Sequence, residues 1–271
     1  MFKCNRKRIR ASRLLFQYIN VILYKVEKSR KCATPRNGRK MDIENYRHEL
    51  KFLCAERDLF LAENRIRHIC RLDASVGNAG TYHIKSLYFD DYEDRCYYET
   101  QAGVDNRKKY RIRIYNNNTD LIKLECKYSH HNRKGKDACQ ITVEQCQHLM
   151  RGEAVRHIDE DQELLRRFLA ERSIKLLAPK VIVEYIRAPY VYQAGNVRIT
   201  FDRFIRSSSD ILRFMEKELT YRCILPQDVN ILEVKYDEVL PTAILELLAD
   251  GQQLSKTSFS KYALCREYSV R

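Results

Sequence analysis

The residues RKKYRIRIYNNNTDLIKLECK, from Arg107 to Lys127, form two alternating segments on either side of a turn. In the first segment, basic residues alternate with tyrosine and isoleucine, and in the second, Lys123, Glu125 and Lys127 alternate with leucine and cysteine. Successive side chains of a β-strand point to opposite faces, so each segment predicts a strand with one charged and one apolar face. The asparagines 116–118 are typical of a turn, which makes the two strands neighbours.

The same alternation recurs elsewhere in the chain. The rows of charged or polar residues at spacing two are Arg47/Glu49/Lys51, Lys109/Arg111/Arg113, Lys123/Glu125/Lys127, Arg198/Thr200/Asp202 and Glu233/Lys235. Their opposite faces are apolar, as in Leu50/Phe52, Ile112/Ile114, Leu124/Cys126, Ile199/Phe201 and Leu232/Val234. In an ordinary sandwich such polar faces meet water.

The number of these rows and their excess of cations favour a second arrangement. If the strands close into a barrel and helices cover the apolar faces, the charged faces line the lumen. Cations confined in such a lumen repel one another, so the lumen is expected to hold an anion. The few carboxylates, Glu49, Glu125 and Glu233, are suited to a divalent metal ion.

The rest of the folded part mixes further strands with helical patterns. The predicted strands are 46–52, 81–91, 108–115, 121–128, 180–187, 190–194, 197–205 and 230–236, and the predicted helices are 56–72, 141–152, 160–172, a helix opened by Pro241 and one at the C-terminus. This pattern indicates one α+β domain with about eight antiparallel strands.

Charge divides the chain at Met41. Residues 1–40 hold 13 of the 50 lysines and arginines but one of the 36 acidic residues. The apolar run from Leu14 to Val26 is too short to span a bilayer. Two interpretations stay open for residues 1–40: a basic helix on a membrane surface, or a disordered extension upstream of a true start at Met41. Residues 41–271 form the predicted domain.

The remaining composition limits the class of protein. The net charge of +14 comes mostly from residues 1–40, so nucleic-acid binding is not expected of the folded part. The ten cysteines form no C-x-x-C pair and follow no recognisable secretory signal, which favours reduced thiols in a cytoplasmic protein.

The ordered segments YRHELKF, SLYFDD, KKYRIRIY, IKLECK, VIVEYIRAPY, VRITFDR, ILEVKYD and SFSKY resemble the polyphosphate polymerase domain of the vacuolar transporter chaperone complex. They are most similar to the stand-alone bacterial versions, over about residues 44–266. That family belongs to the triphosphate tunnel metalloenzyme superfamily. The resemblance implies an eight-stranded antiparallel barrel that forms a tunnel for polyphosphate, with helices packed outside it.

The resemblance also implies roles for single residues. Catalytic cations that bind the phosphates are Lys51, Arg111, Arg113, Lys127, Arg187, Lys256 and Lys261. Further substrate contacts are expected from Arg47, Lys109, Lys123, Lys136, Tyr185, Arg198, Lys235, Ser255 and Ser258. Glu233 matches the carboxylate that holds the catalytic metal, Mn²⁺ or Mg²⁺, with Glu49 assisting.

The chain departs from the family pattern at several positions. Hydrolases and cyclases of the superfamily usually have E-x-E-x-K in the first strand, whereas here Arg47 replaces the first glutamate, as in the polymerase branch. Ser129 stands where a histidine often follows the tunnel lysine, and whether His130, His131 or neither residue substitutes for it stays open. Arg133, Lys134 and Lys136 are expected in a loop.

The activity implied is transfer of the ATP γ-phosphoryl group to a growing polyphosphate chain. The nucleophile is an anionic phosphate oxygen, so no general base is required, and no P-loop or kinase signature is present. The expected partners are ATP, inorganic polyphosphate and, as an open alternative, a separate membrane protein. Two other functions stay open: a tripolyphosphatase or nucleoside triphosphatase, and a non-catalytic module that binds polyphosphate or inositol polyphosphate.

Overall fold

The computed structural model describes residues 47–130, 133–249, 254–258 and 260–270. The predicted extension, residues 1–40, and His131 lie outside these ranges, so the domain boundary at Met41 stays a prediction. None of the helices within the described ranges is both long and apolar enough to cross a membrane.

The described residues form eleven strands and six α-helices. The strands are β1 (His48–Ala55), β2 (Arg71–Leu72), β3 (Tyr82–Asp90), β4 (Arg107–Tyr115), β5 (Asn118–His130), β6 (Arg133–Ile141), β7 (Ala178–Tyr192), β8 (Val197–Ser208), β9 (Arg222–Cys223), β10 (Val229–Tyr236) and β11 (Ser255–Lys256). The helices are α1 (Glu56–Ile66), α2 (Arg95–Gln101), α3 (Val143–Arg151), α4 (Glu163–Lys175), α5 (Thr242–Ala249) and α6 (Lys261–Val270).

All eleven strands belong to one antiparallel sheet, with the order β11-β1-β10-β8-β7-β3-β4-β5-β6 and β2 and β9 paired beside this path. Eight strands have eight or more residues, which confirms the predicted number. Within the described residues, backbone pairing does not close the sheet into a full barrel. The sheet curls until its two ends meet, because Lys134 Nζ of β6 lies 2.8 Å from Glu49 Oε2 of β1.

Two strand predictions were wrong. Arg133, Lys134 and Lys136, expected in a loop, lie in β6, an edge strand paired with β5 over nine residues. The lysines and Gly135 of β6 interrupt the alternation of apolar and polar residues by which a strand is predicted. Lysines on an edge strand also prevent it from pairing with another chain. Residues 178–192 form one long strand, β7, where two strands, 180–187 and 190–194, were predicted. The neighbour of Pro189 in β8 is Thr200, and the pairing continues on both sides.

The predicted helix within residues 141–152 and the predicted turn at residues 116–118 are confirmed. The side chain of Thr142 accepts a hydrogen bond from the backbone of Gln145, and the Gln145 side chain accepts one from the backbone of Thr142, which completes a capping box at the start of α3. Helix α3 ends at Gly152, whose φ of 78° lies in the left-handed region. Asn116 and Asn117 also have positive φ values, as the β4–β5 turn requires.

The apolar faces of the strands meet helices on the convex side, as predicted. Helices α3 and α4 cover β4 and β5, in a core that includes Ile112, Leu124 and Phe168. Helices α1 and α5 cover β8 and β10, in a second core with Ile199 and Leu232. Burying these side chains removes apolar area from water and stabilises the packing of the helices on the sheet.

Helices α2 and α6 depart from the prediction that helices pack outside, because they lie against the concave face. The ring of Tyr262 in α6 is fully buried and its centroid lies 5.1 Å from that of Tyr88 in β3. A third core joins these helices to inward-facing residues such as Ile84, Val183 and Ile231. This core fills part of the concave space and leaves the charged part as the lumen.

Candidate functional site: a cationic lumen

The strand register brings the predicted charged rows onto one concave face. Glu49 pairs with Lys235 across β1 and β10, and Arg111 pairs with Glu125 across β4 and β5. Directly paired residues share a face of the sheet, so each row faces the lumen together with its neighbours. We call the space bounded by these rows the cationic lumen.

Arg111 and Glu125 form a buried ion pair in the β4–β5 wall. Arg111 Nε lies 2.7 Å from Glu125 Oε2, and Arg111 Nη1 donates to the hydroxyl of Tyr88 at 3.0 Å. Lys136 Nζ lies 3.1 Å from the other carboxylate oxygen of Glu125. Although burial opposes it, Arg111 and the neighbouring cations keep the pKa of Glu125 well below its usual range.

Arg113 is buried beside this pair but has mostly neutral partners. Its Nε donates to Ser86 Oγ at 3.1 Å, and its Nη2 donates to the hydroxyl of Tyr185 at 3.5 Å. The shortest distance from its guanidinium to a Glu125 oxygen is 4.0 Å. Arg113 therefore has a charge that this carboxylate, already engaged by Arg111, neutralises only in part.

Three lysines of the same wall, Lys109, Lys123 and Lys127, have no carboxylate within 4.0 Å in the part of the chain that the structure describes. The ammonium of Lys109 donates instead to the hydroxyls of Thr100 and Ser260, at 3.2 and 3.0 Å. Buried or crowded cations without a counter-ion are unfavourable in a protein. A bound anion would remove this cost.

The pKa values of Lys109 and Lys127 indicate the same shortage of negative charge. The surrounding protein and the cations Arg111 and Lys235 lower the pKa of Lys127 well below its usual range. Lys127 still contacts water, as expected for a side chain at an open lumen. Burial also lowers the pKa of Lys109.

Asp202 connects two cations on the opposite wall. Arg187 contacts both of its oxygens, with Nε 2.6 Å from Oδ1 and Nη2 2.7 Å from Oδ2, and Lys261 Nζ lies 2.7 Å from Oδ2. Asp202 is fully buried. Lys261 is the first residue of α6, so this carboxylate fixes the closing helix to the wall. Burial opposes it, but the two cations lower the pKa of Asp202.

Glu49 and Glu233 form a carboxylate pair on strands β1 and β10. Lys235 Nζ lies 2.9 Å from Glu233 Oε1 and 3.9 Å from Glu49 Oε1, and Lys51 Nζ lies 3.5 Å from Glu49 Oε1. Burial opposes ionisation, yet Lys235 and Lys51 lower the pKa of Glu233 well below its usual range. Burial and the charge of Glu233 also oppose ionisation of Glu49, whose pKa is nevertheless lowered.

This pair is the place where oxygen donors for a divalent cation come together. Within the described ranges, no group of three or more His, Cys, Asp or Glu residues could hold a metal ion. Glu49 and Glu233 can supply two ligands, so phosphate oxygens or other donors would have to complete the coordination.

Other predicted residues lie at the margins of the lumen. Arg47 is tied to Asp237, with Nε 3.1 Å from Oδ1, and donates to the carbonyl of Asn196. Arg198 Nη2 lies 2.9 Å from Asp73 Oδ2. Both arginines keep carboxylate partners in the structure, in contrast to the three lysines of the β4–β5 wall.

The C-terminal segment contributes unequally. Lys261 reaches the lumen, whereas Lys256 and Ser258 are exposed. The backbone of Ser255 pairs with Leu53 in β1, and its side chain lies outside the described residues. Lys136, expected in a loop, extends from β6 and reaches Glu125.

Several residues at the site were not among the predicted ones. Asp202, Ser86, Tyr88 and Thr100 all position lumen cations, and Asp202 alone belonged to an alternating row. The alternating row predicted that Asp202 faces the lumen, but it could not show which cations Asp202 contacts, because Arg187 and Lys261 lie in other elements. Ser86 and Tyr88 belong to none of the alternating charged rows, and the sequence alone does not distinguish them from ordinary strand residues.

Comparison with known proteins identifies one family. Residues 46–270 match the family model of the VTC domain. No curated protein shows significant sequence similarity to the chain.

Solved structures show a remote likeness. A putative adenylyl cyclase from Hippeastrum, described as having a dominant triphosphatase activity, is 14% identical, covers 83% of this chain and 96% of its own length, and has a TM-score of 0.48. A putative adenylate cyclase from Bacillus halodurans is 12% identical, with coverages of 70% and 82% and a TM-score of 0.43. The capping enzyme triphosphatase of Mimivirus is 10% identical, with coverages of 78% and 91% and a TM-score of 0.35.

Proposed function

The chain belongs to the VTC domain family, and we propose that it is a metal-dependent polyphosphate polymerase that uses ATP. The observation that carries this proposal is the β4–β5 wall, where Lys109, Lys123 and Lys127 have no carboxylate partner within the described residues and Arg113 has only a distant one. A linear polyanion would supply the missing charge along this wall.

The proposed reaction joins two phosphate groups. A terminal oxygen of the polyphosphate chain attacks the γ-phosphorus of ATP, a new P–O–P bond forms, and the bond to the β-phosphate oxygen breaks to release ADP. The attacking oxygen is anionic near neutral pH, so no proton has to be removed. The protein contributes positioning and charge neutralisation, which dominate catalysis of phosphoryl transfer.

The lumen residues have distinct tasks in this proposal. Arg113 and Lys127 bind and orient the phosphates, and Arg111 is held in place by Glu125. Lys261, held by Asp202, neutralises charge on the side of the lumen that α6 closes. Tyr185 contacts both Arg113 and Lys261. Its hydroxyl accepts a hydrogen bond from Arg113, and the Nζ of Lys261 lies 4.9 Å from its ring centroid.

The carboxylates Glu233 and Glu49 fit a divalent cation, because both lie within 4.0 Å of the single ammonium of Lys235 and both have lowered pKa values, which favour the ionised form. Mn²⁺ or Mg²⁺ at this position would supply further neutralisation of the phosphate charge. Lys51 and Lys235, which contact the carboxylates here, are then available to contact phosphate.

The identity of the attacking group separates polymerisation from hydrolysis. In a triphosphatase, water attacks and each ADP appears with one orthophosphate. The carboxylate found in the first strand of hydrolases is replaced by Arg47, which is paired with Asp237. This replacement adds a cation and removes a metal ligand, and it supports polymerisation.

The test is to incubate the full chain with ATP and Mn²⁺ and to separate the products by gel electrophoresis. Polymerisation predicts chains of many phosphates that an exopolyphosphatase degrades. Orthophosphate without chains would contradict the proposal in favour of a triphosphatase. Unchanged ATP, with binding of polyphosphate, would favour a non-catalytic module.

A further inference from the structure

One hydroxyl in the wall of the lumen has no hydrogen-bond partner among the residues that the structure describes. Thr200 of β8 lies directly opposite Glu233 of β10, so the two side chains project from the same face of the sheet. Thr200 is 4% exposed, and within the described part of the chain its Oγ1 is buried without a partner. Buried polar groups are almost always paired, and an exception suggests a missing ion or water.

The surroundings of Thr200 indicate which of these is missing. Strands β1, β10 and β8 are adjacent in the sheet and contribute Glu49, Glu233 and Thr200. Lys235 lies within 4.0 Å of both carboxylates, which shows that one cation can contact both at once. A hydroxyl directly opposite Glu233, on the same face of the sheet as Glu49, adds a third hard oxygen donor of the kind that Mg²⁺ and Mn²⁺ prefer.

We propose that Thr200 Oγ1 is the third protein ligand of the divalent cation, beside Glu49 and Glu233. The inference rests on the proposed function, because phosphate oxygens of the substrate complete the coordination. Two carboxylates already balance the charge of a divalent cation, so a neutral hydroxyl adds a donor without weakening the attraction of the cation for phosphate.

The test measures how strongly the metal promotes binding of tripolyphosphate. Isothermal titration calorimetry gives the affinity of the full chain for tripolyphosphate in Mn²⁺ and in EDTA, and their ratio is the metal-linked gain. For Thr200→Val we expect this gain to fall about tenfold, in line with the effect of disturbing metal-site groups, while binding in EDTA is unchanged. Thr200→Ser keeps the hydroxyl and should retain the gain.

Stability provides a second readout. Thr200→Val replaces an unpaired buried hydroxyl by a methyl group of similar size, so the metal-free variant should melt at the same temperature as the wild type or higher. A purely structural role would instead lower the melting temperature and affect both binding measurements. If Thr200→Val does not fold, Thr200→Ala removes the same hydroxyl with less steric change and carries the same expectation.

Two results would overturn the inference. An unchanged metal-linked gain in Thr200→Val would show that the hydroxyl does not contact the metal. An equal loss of affinity in Mn²⁺ and in EDTA would show that Thr200 contacts phosphate or supports the wall instead. Failure of the wild type to synthesise polyphosphate would contradict the proposed function, yet these binding results would still decide the role of Thr200.

Discussion

Arg111 and Arg113 should respond differently to replacement by alanine, although they occupy equivalent positions in the alternating pattern. Arg111 forms a buried ion pair with Glu125, at 2.7 Å from Nε to Oε2. Arg113 donates mainly to the hydroxyls of Ser86 and Tyr185, at 3.1 and 3.5 Å. Arg111 therefore mainly stabilises the fold, whereas Arg113 is mainly available to bind an anion.

The contacts determine the expected cost of each change. Arg111→Ala leaves Glu125 buried without its closest cation, and breaking such a pair costs about 3–5 kcal/mol. Because Lys136 remains 3.1 Å from Glu125, we expect a loss near the lower limit, about 3 kcal/mol. Arg113→Ala removes two hydrogen bonds to neutral groups, each contributing about 1 kcal/mol. Relief of repulsion among the lumen cations offsets part of this loss, so about 1 kcal/mol remains.

Urea unfolding of the two variants and the wild type measures these costs directly. Repeating the titrations with tripolyphosphate then separates binding from stability, because a ligand that binds the folded state raises its unfolding free energy. Arg113→Ala should lose most of this ligand-induced stabilisation while staying folded. Equal losses of unfolding free energy in both variants, or full ligand stabilisation of Arg113→Ala, would refute this division of roles.

Three further changes follow from the same contacts. Lys127→Met should keep the fold, because no carboxylate lies within 4.0 Å of this lysine in the described residues. Its affinity for tripolyphosphate, measured by calorimetry, should fall about tenfold, which is the effect of losing one close charge–charge contact. Because the pKa of Lys127 is lowered in the folded state, the unfolded state binds more protons than the folded state once the pH rises above that lowered value. In this pH range the unfolding free energy of the ligand-free wild type should therefore rise, while its affinity for tripolyphosphate falls as Lys127 loses its charge. Lys127→Met should show less of both effects. Glu233→Gln should still bind tripolyphosphate, yet polyphosphate synthesis should fall by orders of magnitude at any Mn²⁺ concentration, since transfer depends on the metal; near-normal synthesis would contradict the metal assignment. Asp202→Asn should lower the unfolding free energy by roughly 3 kcal/mol, because Arg187 and Lys261 lose their shared partner, and an unchanged melting curve would contradict that role.

The sequence was sufficient for the features that depend on period-two alternation. Arg111 and Ile112 lie on opposite faces of β4, as predicted, and the apolar residue packs under helices while the charged one faces the lumen. Alternation is a property of each strand alone, so it can be read without knowing the neighbours. The turn at Asn116 and the cap at Thr142 depend on equally local chemistry.

The features that alternation alone could not predict depend on pairing between distant parts of the chain. Which cations are neutralised follows from register, which places Asp202 beside Arg187 but leaves Arg113 beside Ser86. Strand β6 was missed because a charged edge strand lacks apolar alternation. The exposed position of Lys256, a predicted catalytic residue, likewise follows from how the C-terminal segment pairs with β1.

The fate of the γ-phosphorus of ATP tests the proposed polymerase activity most directly. Phosphorus NMR of a reaction with Mg²⁺ distinguishes the γ-phosphate of ATP, orthophosphate and phosphates inside a chain, so all phosphorus can be counted in one sample. We predict that most of the γ-phosphorus lost from ATP appears in chain-internal phosphates, in step with the formation of ADP. Orthophosphate that accounts for all of the lost γ-phosphorus would contradict the account.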